Sequence, residues 1–313
     1  MKKQLLALAV AGAIAAPAMA QNVTVYGTLD FGIGNKETSG ANVTNSKDDD
    51  NLGSSVFGFK VTEDLGGGLK AMAVLESGIM TGNGNTDDHG TIMFDEKSFI
   101  ELSKGDNAFS FGRQSTAYDN HKSYANMGAN LFTDTDATLN QTAVVAAGTT
   151  SLSTKIAGVG IQVTYSDGSD TIEATSESIA SYALTYSING VDLAYATATD
   201  NLRRTEQTFN VGTKFGALEL RGQVMRHVEK DTASVDARLL KVGAKYSMGA
   251  IDLLGSYQRL NTEVANKDET GTGAMVVYNL SKRTSTYVGY NKRTGSGGAV
   301  DVTESTIGLQ HKF

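Results

Sequence analysis

Lys60 stands between Phe59 and Val61, Arg221 follows Leu220, Lys241 is flanked by Leu240 and Val242, and Lys245 by Ala244 and Tyr246. A charge at alternate positions of an apolar run puts ions on one face of an extended segment and hydrocarbon on the other. Such a face attracts, repels and orders ions and water; it makes and breaks no bonds. The residue types for covalent or metal chemistry are present in the wrong arrangement. His89, His121, His227 and His311 lack the short spacings that gather metal ligands. Gly66-Gly67-Gly68 is not followed by the Gly-Lys-Ser/Thr of a phosphate loop and reads as a hairpin turn. No Gly-x-Ser-x-Gly elbow presents a nucleophile. The chain is therefore expected to be no enzyme and to need neither cofactor nor metal.

The elements that carry these faces must be strands. Alternating segments recur from 23–34 and 56–64 to 284–292 and 303–313, about 16 in all, the sixth placed at 139–147. Tight connections such as Gly105-Asp106-Asn107, Asn189-Gly190 and Met248-Gly249-Ala250 alternate with long polar ones, including 35–55, 80–97 and 114–138. That asymmetry predicts an all-β transmembrane antiparallel barrel with short periplasmic turns, long extracellular loops and both ends of the barrel chain on the periplasmic side. A Lys or Arg turned toward mid-bilayer costs about 2 to 4 kcal/mol, so the charged face is the interior. This assigns Phe57, Phe59, Val61, Leu218, Leu220, Val224, Leu240, Val242 and Tyr246 to lipid, and Lys60, Glu76, Glu219, Arg221, Lys241 and Lys245 to a lumen too wide for side chains to fill. Tyr26, Tyr246, Tyr257, Tyr278, Tyr287 and Tyr290 read as an aromatic girdle at the headgroup level.

Composition agrees. Pro17 is the only proline, and a closed barrel has no edge strand on which a lost ladder donor is harmless. Cysteine is absent, so no disulfide is called for. Met1-Lys2-Lys3, the apolar run 5–16 and Ala18-Met19-Ala20 follow the order of a secretory signal, which predicts residues 1–20 as a leader and 21–313 as one barrel domain. The formal charge is -7, and loss of Lys2 and Lys3 makes it -7 - 2 = -9, which excludes nucleic acid as a natural partner. The strand ending in Phe313 is expected to close on the first.

Val23-Thr24-Val25-Tyr26-Gly27, Phe57-Gly58-Phe59-Lys60, Glu63-Asp64-Leu65-Gly66-Gly67-Gly68-Leu69-Lys70-Ala71, Phe111-Gly112-Arg113-Gln114, Tyr278-Asn279-Leu280-Ser281-Lys282-Arg283-Thr284 and Gly308-Leu309-Gln310-His311-Lys312-Phe313 stand in the order found in a known family. On these segments the chain resembles the general porins of Gram-negative bacteria, in particular the neisserial and β-proteobacterial branch. The resemblance implies a homotrimer of 16-stranded barrels in the outer membrane, each with a third loop, here 114–138, folded into its lumen, and passive diffusion of ions and small hydrophilic solutes. It implies that Arg113 belongs to the basic side of the constriction, with Asp119, Asp134 and Asp136 as opposing carboxylates, and that Phe313 resembles the signal read by the barrel-assembly machinery. Arg113 shares its parity with Phe109 and Phe111, so either those rings face inward or Gly112 permits a bulge.

Where family members carry arginine, this chain has Val56, Glu96 and Gln310. Together with acidic loops, that predicts weak cation preference at low ionic strength. Tyr118, Tyr124, Met127, Leu131 and Phe132 give the third loop apolar side chains with which to pack against a wall. Asp48-Asp49-Asp50 suits a divalent cation shared with lipopolysaccharide phosphates, or is simply hydrated loop charge. Two other readings are an oligosaccharide-selective channel, which would stack sugars on a lumenal track of aromatics in a chain that has no Trp, and an adhesive barrel whose loops bind surfaces or phage.

Overall fold

The computed structural model describes residues 22–39, 44–86, 92–132, 145–168, 178–201, 204–229, 235–263, 268–295 and 301–313. The expected leader lies outside them, as do Asp134 and Asp136. Strands are β1 (Asn22–Thr38), β2 (Thr44–Asp49), β3 (Val56–Gly66), β4 (Leu69–Gly78), β5 (Lys97–Lys104), β6 (Asn107–Ser115), β7 (Val145–Ile156), β8 (Val159–Ser166) and β9 (Ile179–Ile188). They continue as β10 (Val191–Asp200), β11 (Thr205–Phe215), β12 (Leu218–Glu229), β13 (Val235–Met248), β14 (Ile251–Thr262), β15 (Glu269–Asn279), β16 (Thr284–Gly295) and β17 (Val302–Lys312).

From β3 onward each strand pairs antiparallel with the next, and β17 returns to β1 with Thr28 opposite Lys312 and Thr38 opposite Val302. Beside the other edge of β1, β3 covers Asn22–Thr28 and β2 covers Phe31–Lys36. The chain leaves the wall over 50–55 between them, so β2 and β3 share one position and the 17 strands close a barrel of 16. Gly27 and Phe313 exchange backbone bonds of 3.1 and 3.0 Å at the seam, and a Cβ on Gly27 would collide with the Phe313 ring.

Alternation sets the faces as expected on most strands. Val25, Leu220, Val224, Leu240, Val242 and Tyr246 are exposed on the outside, while Gln223, Met225, Leu239 and Lys241 are buried within. Three readings change. The sixth barrel strand is β7, not 139–147; Thr149-Thr150-Ser151-Leu152-Ser153-Thr154 has little apolar signal because Phe109 and Phe111 on β6, opposite Leu152 and Thr150, supply the hydrocarbon of that outer face. Tyr26 and Tyr287 leave the girdle and point inward, Tyr26 donating to Glu76 at 2.7 Å and Tyr287 to Asp30 at 2.5 Å. Asp50 is tied into the fold as well, its Oδ1 accepting from the Ser55 amide at 2.5 Å.

Candidate functional site

Arg113 is turned inward by a register shift between Gly112 and Gln114, with Gly112 at φ 135°, while Phe109 and Phe111 remain exposed outside. The bulge, not inward rings, resolves the parity. From there the chain runs along the inner wall as a belt. The Ala117 amide donates to Thr164 on β8 at 3.1 Å and the Tyr118 amide to Ser181 on β9 at 2.8 Å. The His121 carbonyl accepts from Asn210 on β11 and Gln223 on β12, at 2.9 and 3.1 Å. Arg221 donates to the Tyr124 carbonyl at 3.0 Å with its guanidinium 4.8 Å from that ring's centroid, and Lys241 on β13 donates to the Phe132 carbonyl at 2.6 Å.

Each backbone group that leaves a ladder needs another partner, and inward polar side chains of the wall supply these. Hydrocarbon adds to them. Ala117 and Tyr118 pack with Ala183, Met225, Leu239 and Leu260, while Met127, Leu131 and Phe132 pack with Leu254, Met275, Val277 and Tyr287. The wall yields room by glycine. A Cβ on Gly243 of β13 would collide with the Ala125 carbonyl and one on Gly273 of β15 with the Phe132 ring; Gly212 on β11 lies under Tyr124 and Gly289 on β16 under Leu131 in the same way.

The belt's described end meets the other inward excursion. The Leu131 amide donates to the Asn51 carbonyl at 2.9 Å and Asn130 to Ser54 at 3.2 Å. Residues 50–55 are in turn held by Asp30, fully buried on β1, whose Oδ2 accepts from the Leu52 and Gly53 amides at 3.1 and 3.2 Å and from Gln310 at 2.9 Å. Gln310, one of the positions where arginine was expected, thus serves as an amide donor at the β1–β17 seam.

The seven pore residues expected from sequence occupy different settings. Lys60 is exposed on an inward position of β3. Glu76 is buried, bonded to Tyr26 and paired with Lys97. Arg113 is buried too and donates to the Asp95 carbonyl. Asp119 is half-buried and pairs with Lys122 at 3.0 Å. Arg221 is half-buried; its Nε meets Glu219 at 2.8 Å, and Lys245 shares that carboxylate at 3.2 Å. Asp134 and Asp136 lie outside the described residues. Burial pushes His121 below its ordinary pKa and Tyr124 above it. Beneath the belt a cavity of about 410 Å³ is lined by Tyr124, Asp192, Lys214, Glu219 and Arg221, a recess carrying both signs of charge. Sequence reading missed Tyr26 and Tyr287 as members of the lumen, and for Lys241 it gave the inward face but not the partner that buries it. Glycine at inward parity on β11, β13, β15 and β16 is the signal that marks where a belt lies.

Comparison with known proteins agrees with this geometry. The profile of the Gram-negative porin family matches residues 7–298. An outer membrane porin protein of Bordetella pertussis is 36% identical over 129 residues, 36% of this chain; the match spans about a third, 34%, of that relative's length. An anion-selective porin from Comamonas acidovorans superposes with TM-score 0.77 at 20% identity, covering 94% of this chain and all of that one. OmpT of Vibrio cholerae in its trimer form gives TM-score 0.70 at 15% identity over 94% of this chain and all of that one. At these identities the two structures share the fold alone.

Proposed function

The chain belongs to the Gram-negative porins and is an outer-membrane β-barrel, and from that premise we propose that it is a general-diffusion channel whose water-filled lumen is narrowed by the belt of residues 114–138. The observation that carries this is the belt's anchorage. Its described part is bonded along the inner wall from β8 to β13 and packed on to β16, whereas inward Lys60, Lys70 and Lys214 stay exposed. Within this reading Lys60, Arg221 and Asp119 meet passing ions, Arg113 holds the belt's root, Glu76 ties Tyr26 of β1 to Lys97 of β5 in the wall beside it, and Asp134 and Asp136 remain candidates for the acidic side. No catalytic step is assigned to any residue.

Solute passage depends on size and charge. Burial of Arg113 and Lys241 removes two cations from the water-exposed lumen, which favours the weak cation preference at low salt expected from the acidic loops. Residues 1–20 direct export, and the trimer form of the Vibrio cholerae neighbour supports a homotrimer. Phe313, stacked on Gly27 at the seam, ends the strand offered to the assembly machinery; its deletion is expected to cut the yield of heat-modifiable barrel. Outer-membrane lipid and lipopolysaccharide surround the barrel. Reconstitution in planar bilayers tests the channel. Expected are discrete conductance steps that scale with bulk salt conductivity, a reversal potential of cation sign in a low-salt gradient, and liposome swelling that falls with sugar size. Absence of steps overturns the channel, and an anion-signed potential overturns the selectivity.

A further inference from the structure

On the outer face, the long-loop ends of β12 to β16 carry cations directly above hydrocarbon. Arg226 lies two residues beyond Val224 on β12, Arg238 two before Leu240 on β13, Arg259 two beyond Tyr257 on β14 and Lys292 two beyond Tyr290 on β16, so all four share the outward face, and all four are exposed. Arg226 is opposite Arg238, Arg259 is opposite Leu240 beside it, and Lys292 is opposite Thr272 of β15. With strands roughly 4.8 Å apart, the three arginines cover about 10 Å of circumference.

Their depth is set by Tyr257 and Tyr290. Exposed rings with a polar tip settle at the boundary between acyl chains and headgroups, so side chains one step further out lie among the headgroups. Charge is incompletely matched at that level. Asp236 takes Arg226 with contacts of 3.1 and 2.6 Å and reaches Arg238 at 3.4 Å, so one carboxylate serves two guanidinium groups. Arg259 donates to the Asn261 amide oxygen at 3.1 Å, and Lys292 has no partner among the described residues. Glu263, just past the end of β14 and level with Asp236, also attracts Arg226, and Asp268 stands just before β15, so Asp236 and Glu263 together face three guanidinium groups and Lys292.

We propose that Arg226, Arg238, Arg259 and Lys292 form a binding site for the phosphates of an outer-leaflet glycolipid. Guanidinium groups meet phosphate in paired hydrogen bonds, and two neighbouring forks suit a headgroup bearing more than one phosphate. A lipid is the occupant, not free phosphate, because Val224, Leu240, Val242, Val276 and Val288 continue the same face toward the bilayer centre and would lie along its acyl chains. The site rests on the outer-membrane porin assignment and is independent of how solutes cross the lumen.

The test measures binding of a bisphosphorylated, acylated glucosamine disaccharide to the detergent-purified full-length barrel, by native mass spectrometry and by titration. Expected is affinity weakened on the order of tenfold or more in the double variant Arg238→Gln/Arg259→Gln. The same lipid stripped of phosphate should bind wild type as weakly as the variant, and inorganic phosphate at equal concentration should bind neither. Equal affinity of wild type and variant, or of the two lipids, overturns the site; inorganic phosphate binding as tightly as the lipid overturns the lipid as its occupant. Unchanged heat-modifiable mobility and single-channel conductance establish that the variant is folded, and Lys292→Gln alone provides a milder second variant with a smaller loss in the same direction. Loss of conductance in wild type with lipid binding intact would refute the channel and leave this site standing.

Discussion

Lys60 and Lys241 are both lysines at inward positions of long strands, and their fates are opposite. Lys60 on β3 lies exposed, whereas Lys241 on β13 is fully buried, its ammonium bonded to the Phe132 carbonyl. The same contrast holds for the two stretches of wall. From β11 to β16 the inner face is a seat, with glycines, amides and hydrocarbon shaped to the belt; around Lys60 and Lys70 it meets water. An inward charge is therefore a pore charge only where nothing crosses in front of it. Counting all of them as pore-lining overstates the basic side of this lumen by at least Arg113 and Lys241.

The largest effect is expected from filling the seat. Gly243→Val places carbon against the Ala125 carbonyl and Met127, and overpacking of this kind costs about 1 to 3 kcal/mol unless the belt lifts. Single-channel conductance should rise and the barrel should open at lower temperature in semi-native electrophoresis. Unchanged conductance would place the narrowing elsewhere.

Exchange of the two lysines sharpens the comparison. Lys241→Met leaves the Phe132 carbonyl without its donor and should cost about 1 to 3 kcal/mol of stability while moving the reversal potential little. Lys60→Met should leave stability unchanged and move the reversal potential toward cations. Equal shifts in potential from both substitutions would erase the distinction between seat and open wall.

The smallest effect is in pH. His121 sits in the belt, its carbonyl held by Asn210 and Gln223, and burial lowers its pKa below 6.5. The unfolded or lifted segment thus binds the proton more readily, so anchorage is complete above pH 6.5 and weakens as pH falls through the window beneath it. Current fluctuations should increase over that range in wild type and lose this dependence in His121→Gln. A wild-type record flat through the same range would remove His121 from the anchorage.

Strand faces and the alternation of tight and long connections were legible in the residues, because both are properties of neighbours in the chain. Alternation assigned Lys241, Arg221 and Lys245 to the inside, and Asn189-Gly190 and Met248-Gly249-Ala250 marked turns that the structure contains. The β7 strand was misplaced for the converse reason, since its hydrocarbon cover belongs to β6. Whether an inward side chain meets water, belt or another strand was decided only by closure of the barrel. Tyr287 reaches Asp30 across 257 residues and Lys241 reaches Phe132 across 109, bonds that depend on where the seam falls and on how far the belt runs. A local pattern chooses a face because the pleat repeats every two residues. It carries no record of what lies across the lumen, and that is where burial, pairing and the accessible charge of this barrel are set.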